Sequence, residues 1–274
     1  MKNKMEFKII YLLTDFSDHA KNACEYAIEA FGPSVSYILI NSYVVRTTAA
    51  TLIDLEDIAH QESKQNLDAE LQRLDTQFSG LDIKPLCKYG TPVDVVNEFT
   101  KDFPADLIVV GSKGISKLDE VLIGSVTTAI MRGVRRPVLS IPLKAKFNKM
   151  DQIVLASDLA DSNKISEIEM VKRLKNTFQS KVFATSVKSD NTDLSPEEKN
   201  TLVKLESSDS LDEVTVLREE NVSAGLMEYC ENLGADLLIV VAKHTGFFKR
   251  FFHKSITKQL VNYEVLPILV LGDD

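Results

Sequence analysis

The second half of the chain repeats the first half at a fixed spacing, and this repeat constrains the fold more than any other feature of the sequence. Residues 105–113 (ADLIVVGSK) correspond to residues 235–243 (ADLLIVVAK), an offset of 130 residues that holds without a gap to the end of the chain. Residues 9–15 (IIYLLTD) are echoed by residues 152–158 (QIVLASD), and both segments end in an aspartate. Self-similarity of this length indicates a tandem duplication, so one fold must account for both halves.

Short apolar runs alternate with longer amphipathic stretches inside each copy. In the first copy the pattern predicts strands at 8–13, 35–42, 82–88, 107–110 and 137–142. Helices lie between them, and we expect them to begin after Ser17, at Pro92 and near Ser125. Strand–helix alternation predicts right-handed crossovers and a parallel sheet with helices on both faces. The expected fold class is α/β, with two tandem doubly wound parallel five-stranded sheets of the Rossmann-like type.

The two copies meet at a polar stretch, Lys144–Met150, which lies between the last strand of one copy and the first strand of the next. We therefore predict a first domain at 1–145 and a second domain at 150–274. A chain of 274 residues has enough apolar material for two cores of this size.

Composition excludes several classes of partner. The chain has 40 acidic and 32 basic residues, a formal net charge of −8, and no basic face of the kind that nucleic-acid binding needs. Cys24, Cys87 and Cys230 are far apart and odd in number, which is typical of a reducing, cytoplasmic compartment. Residues 8–13 are interpreted as a first strand and not as a signal peptide, and no apolar run approaches the ~18 residues that span a bilayer. We expect neither a nucleic-acid nor a membrane partner.

The segment that carries chemistry is GSKGISKLDEVLIGSVTT at 111–128, directly after the apolar run at 107–110. Gly111 and Gly114 lie where the chain leaves the strand, and glycine tolerates positive φ and a close backbone approach. Gly124 precedes Ser125, which we expect to cap the next helix. The unpaired amides of a helix N-terminus and its partial positive charge favour an anion such as a phosphate. The hydroxyls of Ser125 and Thr127 are further candidate donors.

Residues from three strands are predicted to meet this segment. Asp15 ends the first strand, Ser42 ends the second, and Gly111 follows the fourth. Ligands of open parallel sheets lie at the carboxyl ends of strands, near the switch in strand order. A carboxylate at Asp15 is a candidate partner for a ribose or a base, and the alternative interpretation is a carboxylate that caps the following helix.

The spacing Gly111-x2-Gly114-x9-Gly124-Ser125 is similar to the nucleotide motif of the universal stress protein family, G-x2-G-x9-G-S/T. The TDFS start at Thr14–Ser17, the G-x-P at Gly90–Pro92 and the RPV strand at Arg136–Val138 match as well. The resemblance covers essentially the whole chain as two copies, and it is to the tandem members of the family. It implies a fold of the adenine nucleotide alpha hydrolase-like type and a binding site for an adenine nucleotide, ATP, with Mg²⁺ as a companion of the phosphates.

The resemblance also implies roles for single residues. Asp15, with Leu13 and Thr14 before it, lies at the base or ribose, and the backbone near Ser42 contacts the adenine. Val110 and Gly111 face the nucleotide. The phosphates are held by Gly114, Gly124, Ser125, Val126 and Thr127. In relatives the last strand mediates dimerisation, so the two lobes are expected to form an intramolecular pseudo-dimer, and two chains are able to associate further as a homodimer.

Three positions depart from the family pattern. Lys113 stands where many relatives carry histidine, and it is interpreted either as a phosphate contact or, more simply, as a solvated side chain. Leu13 stands where some relatives have proline or a small residue, which affects the pocket near the base. Ser42 matches a position that is usually apolar, although a backbone contact survives that change.

The second copy keeps the fold but loses the glycines. At the offset of 130, Gly111, Gly114 and Gly124 become Val241, His244 and Lys254. A β-branched residue such as Val241 resists positive φ and crowds a phosphate. Asp158, Ser255 and Thr257 remain, and Asp158 is interpreted as a structural cap. We predict that ATP does not bind the second lobe in the family mode.

Three functions remain open at this point. The leading hypothesis is a nucleotide-binding stress-response or regulatory module without catalytic residues. One alternative is a weak ATPase, for which Asp119 and Glu120 are the acidic residues of the loop. The other is an interaction scaffold in which nucleotide is incidental and the second domain binds another ligand or a regulatory partner. The segment His244–His253, rich in phenylalanine, is interpreted as aromatic packing, with a binding lip as its alternative.

Overall fold

The computed structural model describes residues 7–45, 52–113, 123–156, 165–188, 194–241 and 265–271. The described chain divides into two compact units, Phe7–Phe147 and Asn148–Asp274. None of the described helices combines the length and the apolar composition needed to cross a bilayer.

The described part of the first unit contains five strands and four helices in strict alternation. They are β1 (Ile9–Leu13), α1 (Asp18–Phe31), β2 (Ser36–Tyr43), α2 (Leu52–Gln77), β3 (Asp82–Tyr89), α3 (Pro92–Asp102), β4 (Leu107–Gly111), α4 (Ser125–Gly133) and β5 (Val138–Ile141). All five strands are parallel, in the order β3-β2-β1-β4-β5. The chain moves outward from β1 in both directions, so the switch in strand order lies between β1 and β4, where open sheets bind ligands.

The described part of the second unit has the same topology. Its elements are β6 (Gln152–Ala156), α5 (Ile165–Phe178), β7 (Lys181–Lys188), α6 (Pro196–Glu206), β8 (Glu213–Arg218), α7 (Val222–Leu233), β9 (Leu237–Val241) and β10 (Ile268–Leu271). The strands are parallel in the order β8-β7-β6-β9-β10. Strands β9 and β10 lie 130 residues after β4 and β5, as the repeat predicts. The predicted tandem α/β fold is confirmed.

The central strands are buried on both faces because helices cover the sheet on each side. In β1 the side chains of Ile10, Tyr11 and Leu12 are fully buried, and every residue of β4 is buried. Continuously apolar strands are expected at such positions, since no face of the strand meets water.

Helix α1 follows the sequence prediction closely. The side chain of Ser17 accepts from the backbone N–H of Ala20, and Gly32 ends the helix at φ 74°. Its buried face is rich in small residues, among them Ala20, Ala23 and Ala27. Small side chains allow the helix to lie close to the sheet beneath it.

In each unit, an aspartate that is distant in sequence accepts hydrogen bonds from the backbone at the start of the central strand. The Asp106 carboxylate accepts from the backbone N–H groups of Lys8 and Ile9, at 2.6 and 3.0 Å. In the second unit the Asp236 carboxylate accepts from Asp151 and Gln152, at 2.8 and 2.9 Å. Asp236 lies 130 residues after Asp106, so the duplication has preserved a specific hydrogen-bonding device as well as a topology.

Candidate functional site

The first unit contains a cavity of about 400 Å³ at the carboxyl ends of β1, β2 and β4. It is lined by Leu13, Thr14, Asp15, Ala20, Ile40, Ser42, Pro92, Val110, Gly111, Lys113, Gly124, Ser125, Val126, Thr127 and Ile130. Every predicted site residue that the structure describes is in this set. Gly114 lies outside the described residues, as do Asp119 and Glu120 of the same loop.

The turn after β1 is held by side-chain hydrogen bonds. Asp15 Oδ1 accepts from the backbone N–H of Ser17 at 3.1 Å and from the Ser17 hydroxyl at 2.5 Å. The intervening Phe16 has a positive φ of 64°, a conformation that a bulky residue adopts only when its surroundings fix it. The helix cap itself is Ser17, so the interpretation of Asp15 as the capping carboxylate is wrong. Asp15 instead orients the cap while it lines the cavity.

A buried amide secures the same turn from the neighbouring strand. The side chain of Asn41 in β2 donates to the carbonyl oxygen of Thr14 at 2.7 Å, and the Thr14 N–H donates to the carbonyl oxygen of Ile40 at 2.9 Å. These bonds fix the peptide groups on both sides of Thr14, the residue before Asp15. Ser42, two residues beyond Ile40 in β2, presents the polar part of this wall.

The structure gives a different reason for the glycine at the end of β4 from the positive φ that the sequence suggested. Gly111 is part of the strand and does not have a positive φ. A Cβ atom at this position would lie 2.8 Å from the backbone carbon and oxygen of His19 in α1, which is closer than side chains tolerate. Glycine is needed here so that α1 packs against the strand end, and the expectation of a positive φ at Gly111 and of strain from it at Val241 is wrong.

The N-terminus of α4 also differs in detail from the prediction. Gly124 is the N-cap, with φ −61° and ψ 156°, and Ser125 is the first helical residue; the expectation that Ser125 caps the helix is therefore wrong. Gly124 is fixed by its N–H, which donates to the carbonyl oxygen of Ser112 at 2.7 Å. The backbone amides of Ser125, Val126 and Thr127 belong to the first turn, where helical amides have no partner within the helix.

Thr127 has a structural duty in addition to its place in the cavity wall. It is buried, and its hydroxyl donates to the carbonyl oxygen of Gly111 at 2.8 Å. Because a hydroxyl carries one hydrogen, this bond removes Thr127 from the predicted side-chain donors to an anion. Ser125, which is exposed at the start of the helix, stays a candidate side-chain donor.

Charged groups of both signs meet at one side of the cavity. Half-buried Lys113 and Asp15 line it. The pKa of nearby His19 is lowered by burial and, to a smaller extent, by the Lys113 cation, while Asp15 and Asp18 act in the opposite direction. The buried Nδ1 of His19 has no hydrogen-bond partner among the described residues. The His19 imidazole therefore lies close enough to Lys113 and Asp15 for both charges to act on it.

Sequence reasoning identified Leu13, Val110 and Val126 but missed the other apolar residues of the wall. Ala20, Ile40, Pro92 and Ile130 line the cavity beside the predicted residues. Pro92 is part of the G-x-P feature, which gave a signal, whereas the other three are indistinguishable in sequence from ordinary core residues. The combined surface suits a ligand with an apolar body and an anionic end.

The second unit is described only in part at the corresponding place. Val241 ends β9 where Gly111 ends β4, and its side chain is buried. The other positions at which the second copy was compared with the motif of the first lie outside the described residues, as does the phenylalanine-rich segment. These positions are Asp158, His244, Lys254, Ser255 and Thr257. The prediction of an inactive second site stays a prediction.

Comparisons with known proteins agree on one family. The profile of the universal stress protein family matches residues 6–142, half of the chain. A universal stress protein of Methanocaldococcus jannaschii is 29% identical over 94 residues, which is 33% of this chain and 55% of that protein. A second one from the same organism is 28% identical over 139 residues, covering 48% of this chain and 81% of that protein.

A solved structure extends the likeness to both units. The crystal structure of a universal stress protein from Archaeoglobus fulgidus DSM 4304 matches 97% of this chain and 97% of its own, with a TM-score of 0.69 and 17% sequence identity. At this level of identity the match shows the fold. The first of the curated relatives, by contrast, is matched over only about half of its length.

Proposed function

Because this chain belongs to the universal stress protein family, we propose that its first unit binds an adenine nucleotide, ATP, and acts as a nucleotide-dependent regulatory module in the response to stress. The bound nucleotide shifts the populations of the protein's conformations and thereby its choice of partner.

The arrangement of the cavity carries this proposal. One side offers the first-turn amides of α4 together with the Lys113 ammonium, which is the combination that holds phosphates. The rest of the wall includes the Asp15 carboxylate, a candidate partner for ribose hydroxyls, and the apolar side chains of Leu13 and Ile40, which suit a flat base. A volume of about 400 Å³ falls within the range of sites for small organic ligands.

We propose binding without efficient hydrolysis. A hydrolase needs a base or a residue that positions water at the γ-phosphate. Among the described residues of the cavity wall, Asp15 is the one carboxylate, and Ser17 already donates two hydrogen bonds to one of its oxygens. In this proposal Mg²⁺ accompanies the phosphates and is held by them.

We further propose one nucleotide per chain. Val241, which replaces the glycine at the end of the matching strand, is buried in β9 and adds a branched side chain at that strand end.

The described cysteines are all unpaired, which supports a reducing, cytoplasmic compartment.

Isothermal titration of the nucleotide-stripped protein with Mg-ATP tests the proposal. We expect one site per chain and the loss of binding heat in Gly124→Val, because a branched side chain at the N-cap obstructs the amides of the first turn. Thr128→Val is the control, since it also places a valine in the first turn of α4 but at a position outside the cavity wall. Two sites per chain contradict the assignment of an inactive second unit, and an unchanged titration of Gly124→Val contradicts the site.

A further inference from the structure

A second group of reactive side chains lies outside the cavity, on the surface where α2 covers β2 and β3. Cys87 Sγ is 2.9 Å from the Ser63 hydroxyl and 3.6 Å from His60 Nδ1. The same ring nitrogen is 3.1 Å from the Tyr43 hydroxyl. We call Cys87, His60 and Ser63 the thiol cluster. Cys87 is half-buried and His60 is exposed, so a small reagent has access to the sulfur.

The other two cysteines have a different environment. Cys24 is fully buried in α1, and burial raises the pKa of its thiol well above the usual range. Burial raises the pKa of the Cys230 thiol to about 12. A thiol reacts through its thiolate, so Cys24 and Cys230 serve as unreactive internal references for Cys87.

The thiol cluster is connected to the cavity by a chain of hydrogen bonds. Cys87 donates to Ser63, and the Ser63 hydroxyl donates to Asn41 Oδ1 at 2.5 Å. Asn41 in turn donates to the carbonyl oxygen of Thr14, the residue before Asp15. Ser63 and Asn41 are both buried, so water does not readily replace a partner that one of them loses.

We propose that Cys87 is a modification site for small electrophiles and hydroperoxides, and that its modification loosens the Thr14–Asp15 wall of the cavity. With a hydroperoxide, His60 takes the thiol proton, and the sulfur attacks one peroxide oxygen as the O–O bond breaks. The sulfur supplies the electron pair and is oxidised to a sulfenic acid, while the leaving oxygen takes the proton from His60 and departs as water or an alcohol. With iodoacetamide, a C–S bond forms and iodide leaves.

The coupling follows from the single hydrogen on the Ser63 hydroxyl. In the thiol form Ser63 accepts from Cys87 and is free to donate to Asn41. Once Cys87 is alkylated its sulfur has no hydrogen to donate, and the amide oxygen of the added group competes with Asn41 Oδ1 for the one hydrogen of Ser63. Asn41 then loses the partner that orients it towards Thr14. The effect on ligand affinity rests on the proposed function, whereas thiol reactivity and hydrogen exchange are measured without nucleotide.

The first experiment measures alkylation of the full chain by iodoacetamide, followed by mass spectrometry of each cysteine peptide. We expect Cys87 to react about tenfold faster than Cys24 or Cys230, and His60→Gln to slow Cys87 about tenfold by removing the proton acceptor. Equal rates at the three cysteines, or a Cys87 rate that is indifferent to His60→Gln, overturn the modification site.

The second experiment measures hydrogen exchange in the peptide that spans residues 12–17 before and after alkylation. We expect exchange there to become about threefold faster or more in the modified protein, and to stay unchanged in Cys87→Ser after the same treatment. Ser63→Ala keeps the thiol but breaks the connection, so it should show the faster exchange without any reagent. Unchanged exchange in the modified protein overturns the coupling. The effect of modification on ATP affinity is measured separately, by titration.

Discussion

At the scale of single residues, Gly111 shows how one missing side chain connects packing to the site. Its position at the end of β4 brings the backbone of His19 in α1 within contact distance of the place a Cβ would occupy. The same glycine supplies the carbonyl oxygen that Thr127 bonds from α4. Two helices that border the cavity are therefore positioned against this one residue.

Gly111→Ala should destabilise the first unit because the added Cβ cannot be placed without moving α1. We expect a loss of about 1–3 kcal/mol in the free energy of unfolding, measured by urea titration. Ser112→Ala is the control in the adjacent position, since it adds no atom. A Gly111→Ala protein as stable as the parent would mean that α1 shifts without cost.

Lys113 is the residue that most clearly separates phosphate recognition from base recognition. In the proposed mode its ammonium faces the phosphates, so Lys113→Met should weaken ATP binding about tenfold and leave adenosine binding nearly unchanged. Titration with the two ligands measures this difference. Lys113→Arg keeps the charge and should retain most of the ATP affinity, whereas an equal loss for both ligands would point to a change in the cavity itself.

At the scale of elements, α4 is fixed at its start by contacts from β4 and the residue after it. Gly124 donates to Ser112, and Thr127 donates to Gly111. Both acceptors lie at the end of the strand that leads into the site. The orientation of the first-turn amides therefore depends on two hydrogen bonds between this strand end and the helix.

Thr127→Val keeps the shape of the side chain and removes the hydroxyl, leaving the Gly111 carbonyl without this donor. We expect a loss of about 1–2 kcal/mol in unfolding free energy and faster hydrogen exchange in the first turn of α4. Thr127→Ser retains the donor and should show the slower exchange of the parent protein. The interpretation fails if the serine variant exchanges as fast as the valine variant.

Elements were predictable where their signals are local. Ser17 and Gly32 begin and end α1 as expected, because a capping hydroxyl and a glycine act within a few residues of the helix. The start of α4 was misjudged by one residue, because both glycine and serine are accepted at an N-cap and a tertiary bond from Gly124 to Ser112 decides between them. The packing reason for Gly111 was equally out of reach, since it depends on a helix some 90 residues earlier in the chain.

At the scale of the molecule, the repeat in the sequence predicted two units of one topology, and the composition of the strands predicted their burial. Most of the cavity wall was also predictable, since a motif and the rule for strand ends identify Asp15, Ser42 and Gly111. Ile40 and Ile130 were not, because an apolar residue facing a cavity has the same sequence signature as one facing the core. Asn41 escaped notice for a related reason: its partner, Thr14, is set by strand pairing.

The paired aspartates give a test of the duplication at this scale. Asp106→Ala removes two acceptor contacts at the start of β1, and Asp236→Ala removes the equivalent two at the start of β6. We expect each variant to lose about 1–2 kcal/mol in the free energy of unfolding. Hydrogen exchange should become faster in β1 for Asp106→Ala and in β6 for Asp236→Ala. Exchange that rises equally in β1 and β6 for either variant would show that the two strands do not open separately.

Those aspartates sit at the amino ends of the strands, whereas the cavity sits at the carboxyl ends. The two ends of the sheet differ between the copies. The aspartate at the amino end is present in both copies, whereas the motif glycines at the carboxyl end are present only in the first. Asp236 and the carboxyl ends of the second unit's strands lie at opposite ends of its sheet. Substitutions at those carboxyl ends should therefore change ligand preference in the second unit without breaking the hydrogen bonds that hold the start of β6.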